Sequence, residues 1–292
     1  MLTIHAPAKV NLVLEVLGKY DDYHRISSIF HAIDLCDVLS FQPGEGVSIR
    51  CNESSLEHDN LVVKAAKLLR EAKGCDRGVH VELHKHIPWG AGLGGGSSDA
   101  AATLLALNKL WQLGLSNSEL VDIASRLGSD IPFFIYGGTA LVEGKGQKIT
   151  ALPSLPPSWF VLLVPPLPKI PQKTAQMYGK LNSSHFTQGE SVNTALTYLH
   201  QGEFDVSLVF NVFEGLVFAA LPELEEYKRR FDEAGAPRVC LTGSGPCLFT
   251  ILPEEETARG LFLRLKEQGL ECYLASSRAT PPFPQGVDSG ER

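Results

Sequence analysis

The chain has 292 residues, 44% hydrophobic and 20% charged, which is ordinary for a folded soluble enzyme and long enough for two domains. Its 26 basic and 33 acidic residues leave a formal charge of −7 with no basic run, which argues against a nucleic-acid partner. No stretch of about 18 apolar residues suits a membrane span, no signal-peptide pattern opens the chain, and the six cysteines (Cys36, Cys51, Cys75, Cys240, Cys247, Cys272) lack zinc spacing, so a cytoplasmic protein with reduced thiols is expected.

Residues 2–15 read as a strand that Pro7 breaks, and 28–41 as further strand. Helical apolar spacing follows over 61–69, headed by Asp59-Asn60 and closed by Gly74. Val79, Val81 and Leu83 then alternate with His80, Glu82 and His84, the pattern of a half-buried antiparallel strand. A glycine-rich run leads into an apolar helix reaching about residue 113, and Ser116 with Glu119 forms a capping box for the next helix. Pro153, Pro156 and Pro157 mark a domain boundary that divides 1–154 from 155–276. Beyond it a strand is expected at 159–164, with helices at 190–200, 208–221 and 224–234. A strand–glycine turn–strand unit at 239–251, a helix at 257–268 and a strand at 271–276 complete the unit. Residues 277–292 are a polar, proline-rich tail with nothing to pack.

The run Pro88-Trp89-Gly90-Ala91-Gly92-Leu93-Gly94-Gly95-Gly96-Ser97-Ser98 carries the most chemistry. Five of the seven residues from 90 to 96 are glycine, so backbone N–H groups can approach a ligand closely. A glycine loop feeding a helix N-terminus is an anion site, because unpaired N–H groups and the positive dipole end both favour phosphate. Gly96 is followed by serine, not lysine, so a Walker A loop is excluded. The alternating strand before the loop argues against a dinucleotide fingerprint, which follows a strand buried on both faces.

Three shorter segments stand out. Pro7-Ala8-Lys9-Val10-Asn11 places a lysine and an asparagine in an apolar strand, where a charge is costly unless paired; the alternative is a lysine on the solvated face. Leu127-Gly128-Ser129-Asp130-Ile131-Pro132-Phe133-Phe134 sets a carboxylate against an apolar segment, with a helix-capping aspartate as the alternative. Thr242-Gly243-Ser244-Gly245-Pro246 is a second glycine turn, which alone could be an ordinary hairpin.

Taken together, in this order, these segments resemble the motifs of the GHMP kinases (galactokinase, homoserine kinase, mevalonate kinase, phosphomevalonate kinase). Tyr23-His24 and Asp59-Asn60-Leu61-Val62 add marks of the members that act on a cytidine diphosphate alcohol in isoprenoid precursor synthesis. The resemblance implies an α+β fold of two domains, an N-terminal one with a left-handed βαβ unit and a ferredoxin-like C-terminal one. It implies ATP as co-substrate, Mg2+ bridging its phosphates, and a tertiary alcohol as acceptor. Asp130 would be the base, Lys9 its partner and Asn11 the residue ordering the pair. Lys85 would lie near ATP, and Pro88 with residues 90–98 would wrap its phosphates. Tyr23 and His24 would recognise cytosine, with Tyr178 as a second stacking ring four residues after Thr174. Thr242, Gly243, Ser244 and Gly245 would line the substrate diphosphate. Two departures are visible: Asp22-Tyr23-His24 replaces the usual Gly-Tyr-His, and 168–174 departs from the commoner Ser-Thr-Lys/Pro pattern. The expected assembly is a monomer or weak homodimer. Rival readings are another kinase of the family, acting on mevalonate or homoserine, and a catalytically silent nucleotide-binding regulator.

Overall fold

The computed structural model describes residues 1–278 except Asp22, Lys169 and Pro171, so most of the polar tail lies outside the described residues. Two long strands, β1 (Leu2–Tyr20) and β2 (Tyr23–Gly44), pair antiparallel and form the spine of the first sheet. To these are added β3 (Val47–Cys51), β4 (Gly78–His84), β5 (Thr139–Gly144) and β6 (Lys148–Ala151). The second sheet is built from β7 (Trp159–Leu163), β9 (Cys240–Leu241), β10 (Leu248–Leu252) and β11 (Cys272–Ser276), while β8 (Phe210–Asn211) returns to pair with β1. The second sheet has the order β11-β7-β10-β9 and is antiparallel throughout. With its helices this is the βαββαβ arrangement of a ferredoxin-like unit.

The helices are α1 (Leu61–Lys73), α2 (Gly95–Leu110), α3 (Asn117–Ser125), α4 (Ile131–Tyr136), α5 (Lys173–Lys180), α6 (Glu190–His200), α7 (Glu214–Ala220), α8 (Leu224–Glu233) and α9 (Glu255–Glu267). Helix α1 starts where Asn60 accepts from the Val62 N–H and stops at Gly74, which is left-handed. It buries Val62, Ala65, Ala66 and Leu69, one face at helical spacing. It also crosses from β3 to β4, which run parallel, and so makes the βαβ unit. Helix α2 is buried nearly all round from Ser98 to Leu107, its alanines allowing close approach to β1 and β2. The capping box at Ser116 and Glu119 is present in full.

The observed elements differ from the expected ones at identifiable places. Pro7 does not break β1. It lies at a register shift, where Pro7 faces Cys36 and Ala8 faces Ile33, so the missing donor falls at a bulge. Strand β4 pairs antiparallel with β2 but parallel with β3, so its alternation reported a half-buried strand and not the direction of both neighbours. The expected helix over 208–221 is a short strand and a helix starting at Glu214. Asn211 breaks it: its amide donates to Leu241 O (2.9 Å) and Gly243 O (2.8 Å), and its Oδ1 accepts from the Phe213 N–H (3.0 Å). The chain remains ordered past 276, with Ser277 bridging Ile33 and the Arg278 N–H donating to Ala32 O at 3.0 Å. All six cysteines are free thiols, and among the described residues no helix is long and apolar enough to cross a membrane.

Candidate active site

The glycine loop joins β4 to α2 and is fastened through its carbonyls. The Lys9 N–H donates to Leu93 O (2.9 Å), the Cys247 N–H to Ala91 O (3.2 Å) and the Lys173 ammonium to Gly90 O (2.9 Å). The Ala91 and Leu93 side chains are buried beneath it. With these carbonyls turned inward, the first-turn N–H groups of α2 have no intrahelical partner and are available to an anion. Two glycines are required by close approach. A Cβ on Gly92 (φ +91°) would lie 2.6 Å from Thr242 O, and one on Gly94 (φ +73°) 2.9 Å from the Phe134 ring and 3.1 Å from Lys9 Cγ. The loop therefore rests directly on Lys9 and against the 242–246 turn.

Lys9 lies where β1 is buried on both faces, which rules out the solvated alternative; its side chain is 4% exposed. Its ammonium donates to Asn11 Oδ1, lies 3.9 Å from Asp130 Oδ2 and 4.8 Å over the Phe30 ring. Asn11 is fixed in turn: its N–H donates to Thr242 Oγ1 (3.1 Å) and its side-chain amide to Ser28 Oγ (3.2 Å). Burial lowers the Lys9 pKa, and the Asp130 charge opposes that shift. Asp130 precedes α4 but makes no side-chain cap hydrogen bond, so the capping alternative fails and the carboxylate is left facing Lys9.

Asp130 also borders a cavity of about 520 Å³ whose walls include Tyr23, His24, Thr174 and Tyr178. The His24 and Tyr178 rings are 5.2 Å apart, and Phe186 stands edge-on to His24 at 6.2 Å. His24 Nε2 is buried without a partner, and burial followed by Lys19 lowers the imidazole pKa, which favours the neutral ring. Lys145 Nζ lies 4.0 Å over the Tyr23 ring. A smaller cavity of about 290 Å³ connects this wall to the loop, bordered by Lys9, Asn11, Asp130, Ser97, Gly243 and Ser244. On the far side of the loop, Asn60, Lys85, Pro88, Trp89 and Asp99 line a third space of about 280 Å³. Gly90, Gly92, Gly94, Gly95 and Gly96 face both of these smaller cavities.

Lys85 borders this third space, but its ammonium is bound beneath the loop by Asp37 and by Asp99 Oδ2 (2.7 Å). All three side chains are at most 5% exposed. Burial works to lower the Lys85 pKa, yet Asp99 and Asp37 outweigh it and hold the ammonium charged. Burial raises the Asp99 carboxyl against the pull of Lys85. Asp37 Oδ1 also accepts from the N–H groups of His86 (2.6 Å) and Ile87 (2.8 Å), fixing the strand's exit into the loop. Sequence reasoning missed Asp37, Asp99, Phe186 and Lys173. The first two carried a readable signal, a charge inside an otherwise apolar strand or helix.

Among the described residues no cluster of three or more His, Cys, Asp or Glu side chains is placed to hold a metal. Ser98 Oγ and Asp99 Oδ1 are buried and unpartnered at the start of α2. Oxygen donors this few fit magnesium, which keeps waters and takes most of its shell from phosphates.

Residues 60–138 match the GHMP kinases N terminal domain and residues 192–270 the GHMP kinases C terminal. A 4-diphosphocytidyl-2-C-methyl-D-erythritol kinase of Dehalococcoides mccartyi (strain CBDB1) is 46% identical over 279 residues, covering 95% of this chain and 98% of that protein. A protein of the same name from Geobacillus kaustophilus is 38% identical over 273 residues, covering 91% and 93%. A crystal structure of 4-(cytidine 5'-diphospho)-2C-methyl-D-erythritol kinase superposes with a TM-score of 0.80 at 34% identity, over 94% of this chain and 98% of that one.

Proposed function

The chain belongs to the GHMP kinases, in the group of the 4-diphosphocytidyl-2-C-methyl-D-erythritol kinases, and from that premise we propose that it phosphorylates the 2-hydroxyl of that cytidine diphosphate alcohol with ATP, using Asp130 as base. One observation carries the reading: the Lys9–Asp130 pair stands where the cavity walled by Tyr23, His24 and Tyr178 meets the glycine loop.

Phosphoryl transfer asks a protein mainly to position the reactants and neutralise charge. A tertiary alcohol is a weak nucleophile and needs a base within reach. Asp130 accepts its proton, and the desolvated Lys9 ammonium stabilises the alkoxide that develops. Asn11 holds Lys9 by its amide oxygen and is itself held by Thr242 and Ser28. The amides of the loop and of the α2 N-terminus hold the phosphates in line. When bound, magnesium would offset phosphate charge; of the two orphaned oxygens at the start of α2, Asp99 Oδ1 belongs to a residue that borders the space of about 280 Å³ and is the one that would hold it. Gly243 and Ser244 border the same cavity as Lys9 and Asp130, and the turn they share with Thr242 and Gly245 is assigned to the substrate diphosphate. The reaction is assigned to the cytoplasm, where both substrates are soluble.

Specificity is assigned to Tyr23, His24 and Tyr178, because cytosine offers a π-face for stacking and a polar edge. His24→Ala leaves that edge unpaired and weakens substrate binding by about 1–3 kcal/mol. Tyr23→Ala removes a platform of the kind worth about 1–3 kcal/mol per base. The lower end is expected for Tyr23, since the base must displace Lys145 from a cation–π contact worth about 0.5–1 kcal/mol. In steady-state kinetics both variants raise the KM for the cytidine substrate and leave that for ATP near wild type. Unaltered KM values in both would send specificity elsewhere.

A further inference from the structure

Helix α5 opens on Lys173, which is an unfavourable place for a cation. The first turn carries the positive end of the helix dipole, and the side chain is partly withdrawn from water. Burial lowers the ammonium to about 8, opposed by Cys247, so at neutral pH it remains charged. Gln172, just before it, is left-handed at φ +50° although it is not glycine.

Two contacts offset these costs. The ammonium donates to Gly90 O at 2.9 Å and to Gly245 O. Gly90 opens the glycine loop and Gly245 belongs to the 242–246 turn. Backbone amides hold Ala91 O and Leu93 O, whereas Gly90 O is held by this side chain. The next residue, Thr174, shares a hydrogen bond with Ser244 (Oγ–Oγ 2.9 Å), and Tyr178, one turn further, faces the His24 ring. One helix of eight residues thus carries a tie to the phosphate loop, a tie to the second glycine turn and a wall of the cytidine cavity.

We propose that Lys173 is a positioning residue of the phosphotransfer reaction, clamping the glycine loop to the 242–246 turn so that the phosphates of ATP and the acceptor hydroxyl are presented in line. The inference rests on the function proposed above. Charged hydrogen bonds to backbone carbonyls are strong and directional, and a small misplacement of reacting groups far from the chemistry is costly in rate. Lysine serves here because three donors on a compact head can hold two carbonyls at once.

Lys173→Met keeps the apolar stem and removes the charge. It lowers kcat about 10- to 100-fold and weakens binding of a non-hydrolysable ATP analogue several-fold, with an unfolding midpoint close to wild type. A separate cavity of about 540 Å³, lined by Trp89, Ile170, Leu221 and Pro246, opens beside Lys173 and admits a small cation. In Lys173→Ala, added ethylammonium therefore restores kcat several-fold, while ethanol at the same concentration does not. If Lys173→Met does not fold, this titration decides alone, and absence of rescue overturns the clamp. A folded Lys173→Met variant with wild-type kcat and analogue affinity overturns it as well. Wild-type protein inactive on the cytidine substrate would instead strike the proposed function, so the two failures are distinguishable.

Discussion

Asp130→Asn lowers kcat by about 10²–10⁴, the usual weight of a general base, and leaves the affinity for an ATP analogue near wild type. The amide keeps the shape of the side chain and can still lie beside Lys9, but it cannot accept the proton of the acceptor hydroxyl. Little stability is at stake. The Lys9–Asp130 separation is 3.9 Å and the aspartate side chain is 38% exposed, so solvent screens much of the attraction. Because Asp130 caps no helix, its replacement leaves α4 intact. Rapid-quench measurement of a single turnover isolates the chemical step. Turnover within a few-fold of wild type would remove Asp130 from the role of base.

Lys85→Met acts on stability instead. The substitution leaves the buried carboxylates of Asp37 and Asp99 facing one another without their shared cation. Breaking a buried ion pair by removing one partner costs about 3–5 kcal/mol. Protonation of Asp99, already favoured by burial, limits the cost. A carboxyl whose folded pKa is raised keeps a proton that the unfolded chain gives up. The loss therefore grows as pH rises from the unfolded value of about 4 toward the folded value, which the missing cation pushes higher still. Urea unfolding at pH 5 and pH 8 measures both terms. Because Lys85 Nζ lies 3.1 Å from where a Cβ on Gly95 would stand, the loop loses its support too, and weaker ATP binding accompanies the instability. A midpoint within error of wild type at both pH values would show that the triad is not a structural brace.

The parts of the fold legible in the sequence were those set by local chemistry. Asn60 and Gly74 at the ends of α1, and Ser116 with Glu119 at the head of α3, satisfy backbone groups within a few residues of themselves. The glycine loop was legible because bare backbone followed by a helix start leaves N–H groups open to an anion. Illegible features depend on distant partners. Nothing near Asn211 announces that its amide will reach Leu241 and Gly243, some thirty residues on, and break an apolar helical pattern into a strand. β1 and β2 are longer than their periodicity suggested, because pairing across Tyr20–Tyr23 and bulges at Pro7, Asn11 and Val16 carry the ladder past local breaks. Lys9 was ambiguous between solvent and burial until β1 was seen covered on both faces. Asp37 and Asp99 gave the same signal, a charge in an apolar element, yet their meaning appears only when Lys85 arrives between them from β4. Lys173 gave none, since its partners are backbone oxygens.

The measurement that bears most directly on the central claim is a phosphotransfer assay of the purified chain. ATP and magnesium are supplied with 4-diphosphocytidyl-2-C-methyl-D-erythritol, mevalonate or homoserine in parallel, and the phosphorylated products are identified by mass. The geometry around Tyr23, His24 and Asp130 predicts rapid phosphorylation of the cytidine substrate and turnover of the other two near background. Equal or faster phosphorylation of mevalonate or homoserine, or ATP binding with no phosphorylation of any of the three, would contradict it.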